Sequence, residues 1–447
     1  MNIITLLKSG RIRNLAKESW SVCWPMTVIM FLISVIGLTD VYVAGRFGKE
    51  AQAAYGLSFQ LYFIMSIIGT ALTVGSVSVV SRLFTSGRKE EFREAIDSSI
   101  VMAGLSGFVL GILGFVFSAH IVEILNAPHE LKKIAIPVTR IYSIGVFFNY
   151  LLMSTNGLLR ACQMIRKSLL TMCAVCAVNV VLVLYFALYT PMGMNGIAWA
   201  TVVSTLVGSI WNSIYMRRLM AGAIRVSVAT VKKIFTIGWP SGLLQVFWQL
   251  GAMALFLILL KLPFNRIEIL AAYTNGIRIE SAIFLPAFAF NMANAVIVGN
   301  LLGKGEDHEA FVAGIVTAAM GVVIVAAMTV IVILNAPRIA SFLSANDLVV
   351  RESVKYLYIA FIAEPFMAWA VILGGGLNGA GDTKSVMVVI AVSIWLVRIP
   401  LCYVLGIYFG MGAVMIWWSM NISLFIQSIL ITRKYFSKDW LLLKLHT

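Results

Sequence analysis

Charge is scarce in this chain. Only 12% of its 447 residues are Asp, Glu, Lys or Arg, about half the share that a soluble domain needs to cover a surface facing water. Acid is scarcer still, with 19 Asp and Glu against 34 Lys and Arg. The four histidines, His120, His129, His308 and His446, form no i, i+4 pair and read as loop or tail residues. The five cysteines are odd in number, and no external loop holds two of them. Cys173-x-x-Cys176 has neither a second C-x-x-C nor a nearby His, so it packs as a small apolar pair and does not build a zinc site. Gly374 to Lys384 is glycine-rich but lacks the G-K-[S/T] order and follows an apolar helix, which argues against a nucleotide site and for close helix packing with a turn. Gly107 and Gly111 form a further G-x-x-x-G packing pair.

What is abundant is apolar sequence. The chain is 60% hydrophobic, its mean hydropathy is +0.94, and many apolar runs exceed the roughly 18 to 20 residues that cross a bilayer core. The expected architecture is an all-α integral membrane protein of about twelve transmembrane helices. The spans fall as six, a basic connector and six: 1–216 as an N-terminal lobe, 217–233 as a cytoplasmic linker, and 234–447 as a C-terminal lobe with a short tail. The start, Met1 to Ser19, is basic and only modestly apolar. The run from Trp20 is too long for a signal-peptide core, so it should remain as the first span.

The net charge of +15 forms no stripe fitted to a phosphate backbone, and nucleic acid is excluded as a partner. With a cytoplasmic N-terminus, 22 Lys and Arg fall in cytoplasmic segments and 9 in external ones. That excess follows the positive-inside rule and puts both termini in the cytoplasm. Arg140, Arg278 and Arg398 lie inside spans, and Arg140 is near enough to a span's start to snorkel.

The two halves repeat. Ala54-Tyr55 matches Ala272-Tyr273, Leu83 matches Leu301, Leu125-Asn126-Ala127 matches Leu343-Ser344-Ala345, and Leu159 matches Leu377, each 218 residues apart; Trp24-Pro25 and Trp239-Pro240 match at 215. Six spans separate the copies, so the repeat is parallel, with its two-fold axis along the membrane normal, as in transporters that rock about a midplane site.

Four segments on that repeat carry a resemblance. Asp40 lies in G-L-T-D-V-Y-V-A-G-R-F-G, Tyr273 precedes Arg278-Ile-Glu280, Glu364 to Lys384 reads E-P-F-M-A-W-A-V-I-L-G-G-G-L-N-G-A-G-D-T-K, and Arg398 opens R-I-P-L. In this order the chain resembles the multidrug and toxic compound extrusion (MATE) family along essentially its whole length. The resemblance implies two six-helix lobes that export cationic or amphiphilic small molecules from the cell in exchange for H+ or Na+. A lipid bilayer is its setting, a monomer its expected state, and it needs no cofactor beyond the coupling ion. In one branch of the family that ion is held by an Asp on helix 1, an Asn and an Asp on helix 5 and a Thr on helix 6. The matching positions are Asp40, Asn179, Val183 and Thr201, so a valine replaces the second carboxylate, and H+ is favoured over Na+. The helix-7 Glu of another branch is missing, since Trp248 and Gln249 occupy that stretch. Asn156, Glu364, Arg278, Glu280 and Arg398 are the candidates for a substrate cavity or a secondary coupling site.

The residues also speak without the family. An Asp at a span's centre costs about 2.5 to 3.5 kcal/mol on insertion scales, so Asp40 should face a cavity or a partner unless it meets water at the external interface. Glu364 precedes Pro365, which frees a backbone carbonyl beside an acid; the alternative is an ion pair with Arg398 or Arg278. Arg278 and Glu280 are two apart and lie on different faces of a helix. No His/Asp/Glu grouping with catalytic spacing is present, which argues against a membrane-embedded enzyme. A lipid-linked oligosaccharide flippase of the same superfamily would be expected to gather cations for its pyrophosphate, whereas the N-terminal lobe shows one embedded Arg, Arg140.

Overall fold

The computed structural model describes residues 11–124, 128–217, 219 and 224–443. His446, part of the linker and the repeated 125–127 segment lie outside them. Among the described residues twelve helices are long and apolar enough to cross a membrane. They are α1 (Arg11–Arg46), α2 (Lys49–Thr85), α3 (Lys89–Ile124), α4 (His129–Ala161), α5 (Ile165–Leu188), α6 (Met194–Met216), α7 (Val228–Leu259), α8 (Arg266–Gly303), α9 (Asp307–Leu334), α10 (Asp347–Gly379), α11 (Thr383–Tyr408) and α12 (Gly412–Phe436). The all-α expectation therefore holds. Exposed aromatics stand at or just beyond the ends of odd-numbered helices: Tyr42, Tyr189, Phe264, Phe342 and Tyr408. The tyrosines among them, with an apolar ring and a polar hydroxyl, suit a membrane–water boundary.

Packing divides the chain into two units, one within Met1–Thr27 and Leu243–Thr447, the other within Val28–Gly242. These units are not the sequence halves. α1 and α7 are each shared, and each changes unit just after its proline, Pro25 or Pro240. Proline removes one backbone hydrogen bond and wedges the preceding turn, so a helix bends there more readily than elsewhere.

In the Val28–Gly242 unit, glycines set the crossings. A methyl at Gly75 would stand 2.1 Å from the Ile234 carbonyl oxygen, and one at Gly238 2.3 Å from that of Ala71, so α2 and α7 touch backbone to backbone. Gly107 and Gly111 admit α4, whose Tyr150 and Ser143 lie where their side chains would be. The last residues before α7 are strapped to α3. Asp97 accepts the Arg225 backbone N–H at 2.9 Å, Ser98 accepts that of Ser227 at 3.3 Å, and Glu90 and Glu94 take the Arg225 guanidinium and the Thr230 hydroxyl. Positions 90, 94, 97 and 98 share one helix face. Asp97 is buried but Arg225 is exposed, so Asp97→Ala should cost about 0.5–1.5 kcal/mol, the net worth of the lost bond. Faster amide exchange at Arg225, with Asp97→Asn protecting it, would check it.

In the other unit α8 and α10 cross through Gly375 and Gly379, where a methyl would lie 2.1 Å from the carbonyl oxygens of Asn291 and Ala295. The glycine-rich run is thus a packing device, as expected. The Asn291 and Asn294 amides reach across to the carbonyls of Val371 and Ile372 at 2.6 and 2.8 Å, and the first turns of α1 join this unit through Ser19, bonded to Thr317 at 3.1 Å.

Candidate functional site

Asp40 sits near the end of α1 yet is only 3% exposed, so it does not simply meet external water. The Tyr55 hydroxyl of α2 donates to its Oδ2 at 3.4 Å, while Oδ1 is buried without a hydrogen-bond partner. Tyr62 and Tyr142, stacked with centroids 4.9 Å apart, lie within electrostatic reach of the same carboxyl. Val183 is fully buried in the apolar cluster that contains Tyr55, Tyr62 and Tyr142. Asp40 thus lies in a nest of phenols and aliphatic carbon with no second acid among them. Tyr55 was visible in the sequence only as a repeated residue, and Tyr62 and Tyr142 carried no signal, because they come from separate turns on α2 and α4.

Asn179 and Thr201 come together as expected. The Asn179 amide donates to Thr201 Oγ1 and Ser204 Oγ, both at 3.4 Å, and its buried Oδ1 has no partner. No hydrogen bond joins this pair to Asp40 among the described residues. Asn156 belongs to a separate buried knot towards the linker end of the unit. Its Oδ1 accepts from Ser168 and Asn212, each at 3.0 Å, and Asn212 also reaches Thr155. One turn on, Arg160 is buried, with its Nε donating to the Asn156 carbonyl at 3.1 Å. Arg140 lies inside α4 as expected, on its exposed face, but the expectation of one embedded arginine in this lobe is corrected: Arg160 is a second, and it is buried. Arg160 was missed because it stands at the edge of its apolar run.

The other unit holds a second acid–phenol pair. Tyr356 of α10 donates a short hydrogen bond to Glu280 of α8. Tyr356 also packs edge-on to Trp417, with centroids 4.7 Å apart, and Trp417 stacks on Tyr273 at 5.7 Å. Glu364 is 3% exposed, its Oε2 is without a partner, and Glu280 and Arg398 are both within electrostatic reach. The alternative ion pair to Arg398 or Arg278 is not formed. Arg398 gives its Nε to Ser423 at 2.8 Å from a π-helical stretch, Ser393–Arg398, and Arg278 points outward from α8. π-Turns re-aim side chains and gather at functional sites. Arg278 and Glu280 face different ways, as their spacing required. Among the described residues no group of three or more His, Cys, Asp or Glu could hold a metal.

A twelve-span helical membrane protein with acids buried in each of its two units has the make-up of a transporter. Its family is shown directly: the MatE family model matches residues 25–186 and 240–404, and the chain belongs to that family, the MATE transporters. A curated relative, the probable multidrug resistance protein NorM of Thermotoga maritima, is 22% identical over 445 residues, covering 97% of this chain and 95% of the relative. Its counterpart from Deinococcus radiodurans is 25% identical over 415 residues, 90% of each chain. Among solved structures, the outward-facing conformation of a multidrug resistance MATE family transporter superposes with a TM-score of 0.88 at 19% identity, covering 95% of this chain and 97% of that one.

Proposed function

We propose that this protein is a secondary antiporter that exports cationic or amphiphilic small organic molecules in exchange for H+, working by alternating access as a monomer in the plasma membrane with both termini in the cytoplasm. The observation that carries it is Asp40, buried, held by one phenol and left with a free carboxyl oxygen. A group that must load a proton from one side and release it to the other needs such a carboxyl, shielded from water in a closed state.

Valine at 183 supports H+ over Na+. A hard cation is held by several oxygens at once, whereas Asp40 has carbon and phenols around it. The relatives named for multidrug resistance support a drug-like cargo. Alternating access is supported by the two prolines at the points where α1 and α7 pass from one packing unit to the other. Glu280 and Glu364 are the secondary coupling candidates, with Arg398 placed to balance one of them. A flippase for lipid-linked pyrophosphate is disfavoured, because among the described residues Arg160 is a single buried cation and not a cluster.

The test is transport of a fluorescent cationic dye in proteoliposomes under an imposed pH gradient or an imposed Na+ gradient. Dye movement driven by the pH gradient alone is expected. Movement driven only by Na+ would sink the choice of ion, and none under either would sink the exporter.

A further inference from the structure

Arg140 is a charge on an apolar surface. It lies on α4 against Phe115 of α3 and one turn before Ile144, both of them exposed. Its Nε donates to Ser118 Oγ at 3.1 Å and its guanidinium stands 5.8 Å from the Phe115 ring. It forms no ion pair, and no other partner for it is found among the described residues. A guanidinium carries five N–H donors and keeps its charge at every pH a protein meets. Ser118 and Phe115 fix its plane but leave the far edge, with its paired N–H groups, uncommitted.

Depth decides what can meet that edge. α4 has 33 residues, about 50 Å at 1.5 Å per residue, against a hydrocarbon core of about 30 Å; centred and upright in the core, it extends roughly 10 Å beyond at each end. Arg140 is eleven residues past His129, or about 16 Å along the axis. Its Cα therefore lies only about 6 Å inside the core boundary, within a side chain's length of the headgroup phosphates. Lys133 is exposed seven residues earlier, on the same face of α4 and nearer the boundary. Two cations in line along a lipid-facing helix, the inner one a planar fork, match a phosphodiester above and its acyl chains beside Phe115 and Ile144.

We propose that Arg140, oriented by Ser118 and Phe115 and seconded by Lys133, is a binding site for the phosphate of a membrane phospholipid, whose chains lie along the α3–α4 face. The occupant is a lipid and not a free anion, because the walls of the site are apolar and open to the bilayer. Bound there, the lipid satisfies a charge that would otherwise face hydrocarbon and braces α3 against α4. The site is independent of the coupling acids and of the cargo.

Native mass spectrometry of the purified full-length protein with defined additives tests it. The probes are phosphatidylglycerol, diacylglycerol with the same chains, and inorganic phosphate. Wild type is expected to retain phosphatidylglycerol in preference to diacylglycerol and to hold inorganic phosphate weakly. Arg140→Gln, at an exposed position, should lower retention of phosphatidylglycerol about tenfold or more, the loss of a charge-assisted hydrogen bond, and Arg140→Lys should restore part of it. Equal retention by wild type and Arg140→Gln, equal retention of diacylglycerol, or no gain from lysine over glutamine would each overturn the proposal. Inorganic phosphate held as firmly as the lipid would replace it with a simple anion site.

Discussion

Replacing Asp40 with asparagine is expected to cut proton-driven export by roughly 100-fold or more, the scale on which loss of a proton-transfer group is felt, while the protein still folds. Asparagine has the same shape, and its amide oxygen can accept the Tyr55 hydroxyl as Oδ2 does now. What it cannot do is take up and release a proton. The buried Oδ1, unpartnered in the structure, becomes or stays an uncharged group, so the substitution does not bury a new charge. Tyr55→Phe serves as the graded control: it removes one bond to the carboxyl but leaves the carboxyl itself, and its effect should be much smaller. Initial rates of dye movement under an imposed pH gradient, at matched amounts of reconstituted protein, measure both. Undiminished export by Asp40→Asn would move the coupling to the other unit, where Glu280 and Glu364 would be replaced by glutamine in turn.

That experiment turns on a residue the sequence exposed plainly, because an acid inside an apolar run has a cost that demands a reason. Glu280, Glu364 and Arg398 were visible on the same ground. Their partners were not. Opposite charges within one span set suggest a pair, yet Glu280 is taken by Tyr356 and Arg398 by Ser423. The π-helical stretch that aims Arg398 leaves no mark on periodicity, because it changes the turn over six residues without changing their apolar character. The twelve spans were legible for a simple reason: length and hydropathy are local quantities, and a bilayer imposes them on each helix separately. Packing is not local. The passage of α1 and α7 from one unit to the other depends on contacts with helices hundreds of residues away, and the only trace in the sequence is the repeated Trp-Pro.

The second large effect concerns the contact that brings Glu280 and Glu364 near each other. Gly379→Ala is expected to destabilise the protein by about 1–3 kcal/mol, the usual cost of forcing extra carbon into a packed site, and Gly379→Leu to keep it from accumulating in the membrane. The reason is what the new carbon meets. At 2.1 Å it would strike the carbonyl oxygen of Ala295, part of the α8 backbone, which cannot turn aside as a side chain can. Relief requires α8 and α10 to separate, and Gly375 against Asn291 makes the same demand one turn away. Separation would also lengthen the Asn291 and Asn294 bonds to α10 and disturb the Tyr356–Glu280 pair. Gly56→Ala is the matching control with the opposite sign. Gly56 lies inside α2 with nothing within 4 Å of a new methyl, so alanine should gain up to about 1 kcal/mol from its greater helix propensity. Thermal unfolding of both variants in one detergent decides the matter: a Gly379→Ala protein as stable as wild type would mean that the two helices cross less closely than a shared backbone contact requires, and that the site they frame can tolerate their separation.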